Sequence, residues 1–241
     1  MSAGIWGKIG GAGIGLSIGG PIGALLGAFT GHFLIDREGA LLGAPPRDVV
    51  FATGLVALSA KMAKSDGVVV RSEVDAFERV VDVPPSEHDR VTRLFDLAKA
   101  TTDGFESYAR QIAAAFRDER QLLEDVLDGL FHVAKADGAV HEAEFGYVQR
   151  VACLFGFEGR EFDRIAARHV RRAEDPYEIL GAQRGMTDAE LKGHYRRLVA
   201  ENHPDREIAR GLPSECVKIA TARLAAINEA WDRIAAERGL A

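Results

Sequence analysis

Along most of the chain, apolar residues recur at three- and four-residue intervals, the spacing of one face of an α-helix. Between Pro45 and about Arg172 this spacing predicts helices over 48–64, 72–82, 87–99, 105–116, 120–136, 142–155 and 160–171. The pattern breaks at Pro45-Pro46, Asp66-Gly67, Pro84-Pro85, Asp103-Gly104, Asp137-Gly138 and Gly156, where turn-forming residues interrupt it. A further helix is predicted from about Thr187 to Glu201, and a long one reaches about Glu237. No stretch alternates with period two for long enough to predict a strand. The expected fold class is all-α.

The first 36 residues follow a different rule. From Ile9 to Ile35 there is no acidic or basic residue, and His32 is the only titratable side chain. About 20 apolar residues suffice for a helix to cross a bilayer core. A signal peptide has a shorter apolar region followed by a small-x-small cleavage site, whereas this run continues unbroken to Asp36. A retained anchor, one spanning helix within residues 1–36, is the expectation. Glycine stands at every fourth position: Gly7, Gly11, Gly15, Gly19, Gly23, Gly27 and Gly31. On a helix these share one slowly drifting face. Close backbone contact between helices in lipid favours such small residues, so the ladder, a glycine zipper, predicts a homodimer through the anchor. Gly15, Gly19, Gly23 and Gly27 would lie nearest the crossing. Two other readings fit the same residues: a helical hairpin bent at Gly19-Gly20-Pro21, and a flexible glycine-rich segment that lies in a soluble pocket or remains disordered. Lys8 on one side and Arg37 and Arg47 on the other leave the orientation open.

The central region repeats itself. Ala63-Lys-Ser-Asp-Gly-Val-Val-Val-Arg-Ser-Glu73 aligns with Ala134-Lys-Ala-Asp-Gly-Ala-Val-His-Glu-Ala-Glu144 as A-K-x-D-G-x-V-x-x-x-E. The offset of 71 residues indicates a duplicated helix–turn–helix unit, not a short-period solenoid. Asp66, Gly67, Val69 and Glu73, and likewise Asp137, Gly138, Val140 and Glu144, fit positions 5, 6, 8 and 12 of a calcium loop. Positions 1 and 3, however, fall on Met62 and Lys64, and on Val133 and Lys135. A lysine in place of a carboxylate repels a cation, so no metal is expected. Asp-Gly makes a tight turn, the valine plugs the core, and the glutamate sits in the first turn of the next helix, near its positive end.

Composition narrows the function further. A net charge of −6 argues against a nucleic-acid binder that relies on a general positive field. Cys153 and Cys216 are far apart and give neither a disulfide framework nor a metal knuckle; both read as small core residues in a reducing compartment. Asp66 with Glu73 and Asp137 with Glu144 are the only candidates for hydrolytic chemistry in the central region. No nucleophile–base set and no phosphate-cradling loop accompanies any histidine. No catalytic residue and no cofactor is expected.

The C-terminal segment carries the most specific signal. Asp175-Pro-Tyr-Glu-Ile-Leu-Gly181 precedes Thr187, which caps a helix with Glu190 at its third position, a capping box. Leu191, Tyr195 and Leu198 form an inward stripe, while Lys192 and Arg196, with Arg197 beside them, lie outward. His203-Pro204-Asp205 follows. The last helix offers Ile219, Ala222, Leu224, Ala226, Ile227, Ala230, Trp231 and Ile234 as the opposing apolar face.

These residues resemble a J domain: the D-P-Y-x-x-L-G, Y-R-R-L, H-P-D-R and A-I-N-E-A-W segments stand in order. The paired A-K-x-D-G-x-V-x-x-x-E units resemble the TerB-like domain of tellurite-resistance proteins. With the glycine-rich anchor, the whole chain is similar to the DjlA-type family of membrane-anchored DnaJ-like proteins. The expected organisation is an anchor over 1–36, a TerB-like all-helical domain over 45–172 and a J domain over 174–241. The resemblance implies a stress-response co-chaperone that is no enzyme itself and that stimulates the ATPase of a DnaK-type Hsp70. His203, Pro204, Asp205, Lys192, Arg196 and Arg197 are the implied contacts. It also implies a bacterial inner membrane crossed once, with both folded domains in the cytoplasm. The Gly/Phe-rich region and the CxxCxGxG zinc module of broader DnaJ proteins are missing. An alternative reading makes the central domain a stress- or metal-associated binding module to which the J domain is secondary.

Overall fold

The computed structural model describes residues 20–31, 47–65, 71–100, 104–135, 138–170 and 175–240. The described residues form helices and connecting turns, with no strand among them. The order is α1 (Gly20–Gly31), α2 (Arg47–Ser65), α3 (Arg71–Val80), α4 (His88–Ala100), α5 (Phe105–Ala115), α6 (Arg120–Ala134), α7 (Glu142–Leu154) and α8 (Arg160–Ala167), followed by α9 (Pro176–Leu180), α10 (Asp188–Glu201), α11 (Pro204–Arg210) and α12 (Val217–Arg238).

Two helices make the centre. On α2 every residue from Val49 to Ala63 is buried, and on α6 every residue from Leu122 to Phe131. A helix buried on all sides belongs inside a core, wrapped by amphipathic neighbours. Here α2 touches α1, α3, α4, α5, α6 and α7, while α6 also receives α8, α11 and α12. The internal repeat is visible in this arrangement. Each copy opens with a core helix, and the helices after the two turns begin at Arg71 and Glu142, the same 71-residue offset. Gly54 lets α5 close on α2, since a Cβ there would stand 2.7 Å from Ile112 Cδ1.

Of the second Asp-Gly turn, the described part begins at Gly138. Gly138 adopts φ +111°, its N–H donates to the Lys135 carbonyl, and Val140 packs half-buried against the core. Glu144 stands at the third position of α7 and accepts from the backbone N–H of His141, closing a capping box. The first turn, with Asp66, Gly67 and Val69, lies outside the described residues. Among the described residues no group of three His, Cys, Asp or Glu side chains could hold a metal ion. The cysteines divide: Cys216 is buried, but Cys153 is exposed on the outer side of α7, against expectation. Val148, Val151 and Ala152 take the inward positions of that helix, and Cys153 is left facing water.

α1 comes from the second half of the glycine ladder. Ile22, Leu25 and Leu26 are buried against α2, α4 and α5, and Gln111 Oε1 accepts from the Ile22 N–H at 2.9 Å. At 12 residues α1 is about 18 Å long at 1.5 Å per residue. No helix among the described residues is long and apolar enough to cross a membrane. Gly15 and Gly19 lie outside the described residues, as does the stretch after Gly31 up to Arg47; Gly23 and Gly27 lie on α1.

Candidate functional site

The C-terminal hairpin has its own small core of Tyr177, Leu180, Leu191, Ile227, Ala230 and Ile234, with Tyr195, Leu198 and Trp231 packed against it. Asp175 caps α9 by accepting from the Tyr177 N–H, and Pro176 starts it without needing an acceptor. Gly181 ends it at φ +62°, a left-handed value that favours glycine. Thr187 and Glu190 form the capping box read from the sequence. Arg238, near the end of α12, donates to the Tyr177 hydroxyl, the carbonyls of Met186 and Arg184, and the Asp188 carboxylate. One guanidinium thereby ties α9, the loop after it and the start of α10 to α12.

The opposite end carries the candidate site. Proline fixes its own φ and pushes the preceding residue toward extended backbone. His203 accordingly sits at φ −70° and ψ 130°, the N-cap of α11, with Pro204 in the first turn. His203 Nδ1 accepts from the Asp205 N–H at 3.3 Å. In the neutral ring this leaves the proton on Nε2. The His203 side chain is 54% exposed and that of Asp205 87%. On α10, Lys192, Arg196 and Arg197 are all exposed and form no ion pair among the described residues, while Leu191 faces inward. An exposed imidazole and an exposed carboxylate, 3.7 Å apart, thus follow the end of a helix whose exposed side carries three cations without an ion pair among the described residues. Such a surface suits an acidic partner, because unpaired cations steer encounter.

Residues not singled out from the sequence hold this end in place. Asn202, directly before His203, is buried; its Nδ2 donates to the Leu198 carbonyl and its Oδ1 accepts from Nε2 of Gln121 on α6. After the turn, Glu207 is fully buried and pairs with Arg210, and burial raises its pKa. Leu212, Cys216, Ile219 and Ala220 join the core of the central domain and not that of the hairpin. Ile219 therefore does not oppose α10 as expected from the sequence. Its Cδ1 would stand 3.2 Å from a Cβ on Gly129, so the missing side chain at Gly129 lets α12 approach α6.

Against the α8 side of α6 lies a buried cluster of charges. Arg164 on α8 and Arg168, which directly follows that helix, reach Glu124 at 2.7 and 2.8 Å, and Arg168 also reaches Asp128 at 2.9 Å. His169 Nε2 lies 2.7 Å from Asp128 Oδ1. Burial opposes ionisation of Glu124, but Arg168, Arg164 and Arg223 hold its carboxyl down to about 2. Against the same opposition, Arg168 and His169 hold Asp128 well below the usual carboxylate range. Burial lowers the pKa of His169, and it brings that of His132 down to about 4. The signal in the sequence was three acids, Glu124, Asp125 and Asp128, in an otherwise apolar run from Leu122 to Phe131. Beside this cluster an open cavity of about 1000 Å³ is lined by Gly138, Val140, Glu142, Asp163, His169 and Glu178, among others.

Comparison with known proteins agrees with this architecture. A family model described as the DnaJ domain matches residues 175–237. The model for tellurite resistance protein TerB matches 52–167, and the model for the co-chaperone DjlA transmembrane domain matches 1–44. The chain is 29% identical to co-chaperone protein DjlA of Shewanella oneidensis over 98% of both chains. It is 29% identical to the protein of that name in Coxiella burnetii over 74% of each chain. For that of Photobacterium profundum the identity is 28%, covering 98% of this chain and 99% of the relative. No solved structure matches the chain.

Proposed function

Because the chain belongs to the DjlA-type family of membrane-anchored DnaJ-like co-chaperones, we propose that it recruits a cytosolic DnaK-type Hsp70 and stimulates its ATP hydrolysis through His203, Pro204 and Asp205. The observation that carries this reading is the exposed turn itself: His203 and Asp205 stand open to solvent at the end of a helix bearing three unpaired cations. Lys192, Arg196 and Arg197 attract an acidic surface of Hsp70, and the rigid turn fixes the imidazole and carboxylate that engage it. Stimulation requires that the J domain (residues 174–241) bind the hydrolysis-competent conformation of Hsp70 better than the resting one. The protein catalyses nothing itself.

The test is single-turnover ATP hydrolysis by Hsp70 with the full chain in lipid nanodiscs. His203→Gln and Asp205→Asn are expected to abolish stimulation with helicity unchanged, since exposed substitutions usually shift stability by only about 0.5 kcal/mol. Full stimulation by either variant contradicts the reading.

The anchor, residues 1–36, places the TerB-like domain (45–172) and the J domain in the cytoplasm against the inner membrane. Gly15, Gly19, Gly23 and Gly27 bring two copies together there, which requires α1 to leave its packing against α2, α4 and α5 and enter the bilayer. In a two-partner membrane-association reporter, Gly19→Leu with Gly23→Leu keeps insertion and lowers association, because the larger side chains separate the backbones. Equal association by both segments speaks against the dimer.

The cavity beside Gly138 supports a second role, ligand binding by the TerB-like domain. Calorimetry of the full chain with divalent cations tests the metal-binding form of that role, and an absence of heat argues against it.

A further inference from the structure

The turn that bears His203 and Asp205 is pinned on both flanks by the central domain. On the near side, Gln121 of α6 holds Asn202. On the far side, Glu207 and Leu212 are buried, and Leu212 joins the central core. Behind both, Arg223 of α12 enters between α6 and α11: its Nη1 lies 2.7 Å from Asp125 Oδ1 and 3.5 Å from Asp128 Oδ2, with Arg223 and both aspartates fully buried. Lys192, Arg196, Arg197, His203 and Asp205 all remain exposed to solvent. Docking of the hairpin on the central domain and access to those five side chains are therefore compatible.

A buried ion pair of this kind is costly. Each charge loses several kcal/mol, roughly, of hydration on leaving water, and apolar side chains of similar volume often serve stability as well or better. The cost is aggravated here, because Nε and Nη2 of Arg223 and one oxygen of Glu207 have no hydrogen-bond partner among the described residues. What such pairs do well is fix one arrangement over its neighbours, since any slip leaves a buried charge uncompensated. At this interface the arrangement fixed is that of α12, and with it the turn, relative to α6.

We propose that Arg223, Asp125 and Gln121 are positioning residues: through them the central domain holds the His203-Pro204-Asp205 turn in one orientation, so that a docked Hsp70 sits at a defined place relative to the central domain. The inference rests on the Hsp70 reading above. It assigns the central domain a part in that reaction that the turn and the basic face do not supply. An Hsp70 bound to a loosely tethered J domain samples many orientations, whereas one bound to a clasped J domain samples few, and the productive fraction rises accordingly.

The test uses the full chain in nanodiscs, with Cys153→Ser and spin labels on cysteines placed at the exposed positions Arg110 and Ala189. Asp125→Leu with Arg223→Met removes one charge of each sign and leaves Asp128 its partners Arg168 and His169. The expected result is unchanged helicity, a broadened distance distribution between the labels, and maximal Hsp70 stimulation reduced about five-fold or more. His203→Gln, by contrast, keeps the narrow distribution and loses stimulation altogether. A narrow distribution in the double variant overturns the proposal whatever the ATPase does. A broad distribution with full stimulation overturns it as well. Should the double variant not fold, Gln121→Leu is read in the same way, with a smaller effect expected. If the native chain itself gives no stimulation, the Hsp70 reading falls, and the label distances still report separately whether the clasp orients the hairpin.

Discussion

Tyr195 lies flat on Trp231, with ring centroids 4.5 Å apart and planes 7° from parallel. The stack joins α10 to α12, and the Tyr195 hydroxyl donates to Asn228 on the same helix. With Trp6→Phe, Trp231 becomes the only indole of the chain and reports on the hairpin alone. Because α12 also packs into the central core, its fluorescence transition in urea is expected to coincide with the loss of far-UV circular dichroism, as for a single cooperative unit. Two separated transitions would show that hairpin and central domain unfold independently. Trp231→Leu removes the stack, worth about 0.5–1.5 kcal/mol beyond buried area, and moves the joint midpoint down.

Charge reversal at Lys192 and Arg196 acts on encounter. The pair is exposed and unpaired, so the folded state loses nothing when the sign changes. Lys192→Glu with Arg196→Glu is expected to slow Hsp70 association more at low salt than at 0.5 M salt, where the Debye length falls below about 5 Å. Stopped-flow association measured at the two salt concentrations decides it. A salt-independent loss would place the effect in dissociation and speak against steering.

Gly138→Val forces a β-branched side chain into φ +111°. There is room for the side chain, since nothing lies within 4 Å of a Cβ at this position, so the penalty comes from the backbone alone. A loss of about 1–3 kcal/mol in chemical denaturation is expected, and Gly138→Asn, which tolerates positive φ better, should lose less. Equal stability of the Val variant would show that the turn relaxes freely.

The buried cluster makes stability depend on pH in two windows. Burial raises the Asp125 carboxyl to about 7 despite Arg223, with Glu207 on α11 and Asp128 and Glu124 on its own helix pushing the same way. A group raised in the folded state contributes stability that is complete below its ordinary value and is lost as pH rises through the folded one. The melting temperature is therefore expected to fall as pH rises from about 4 to about 7, and Asp125→Asn to flatten that fall. Glu124, held at about 2, contributes in the opposite sense: its stabilisation is present above its ordinary value and vanishes as pH drops through 2. Asp125→Asn leaves that acid limb in place. Parallel pH profiles for the native and Asn chains between about 4 and 7 would remove Asp125 from the account.

Helix positions, the duplicated units and the exposed turn were legible in the sequence because they depend on local spacing: caps, Asp-Gly turns and a three-to-four-residue apolar period. The clasp was not. Gln121 and Asn202 are 81 residues apart, and Arg223 lies 95 residues from Asp128. Nothing in the sequence near Arg223 separates it from an ordinary solvated arginine on a helix. Ile219 shows the same limit from the apolar side: periodicity identified it as inward-facing, but not which of two cores it enters. Cys153 fails for a third reason. Its neighbours Val148, Val151 and Ala152 satisfy the inward face, and a small side chain next to them carries no signal of its own.

The 22 residues of α12 serve two cores at once, Ile219 and Ala220 on one side and Ile227, Ala230 and Ile234 on the other. This limits how freely the chain can be recombined. Cutting it near Arg172 leaves the excised hairpin with Leu212, Cys216, Ile219 and a lone Arg223 facing water, and leaves Asp125 on the remainder without its counter-charge. Grafting in the hairpin of another co-chaperone would transplant the working turn but not its seat. The unit that can be exchanged as a whole is larger than the J domain and includes the helix onto which it is bolted.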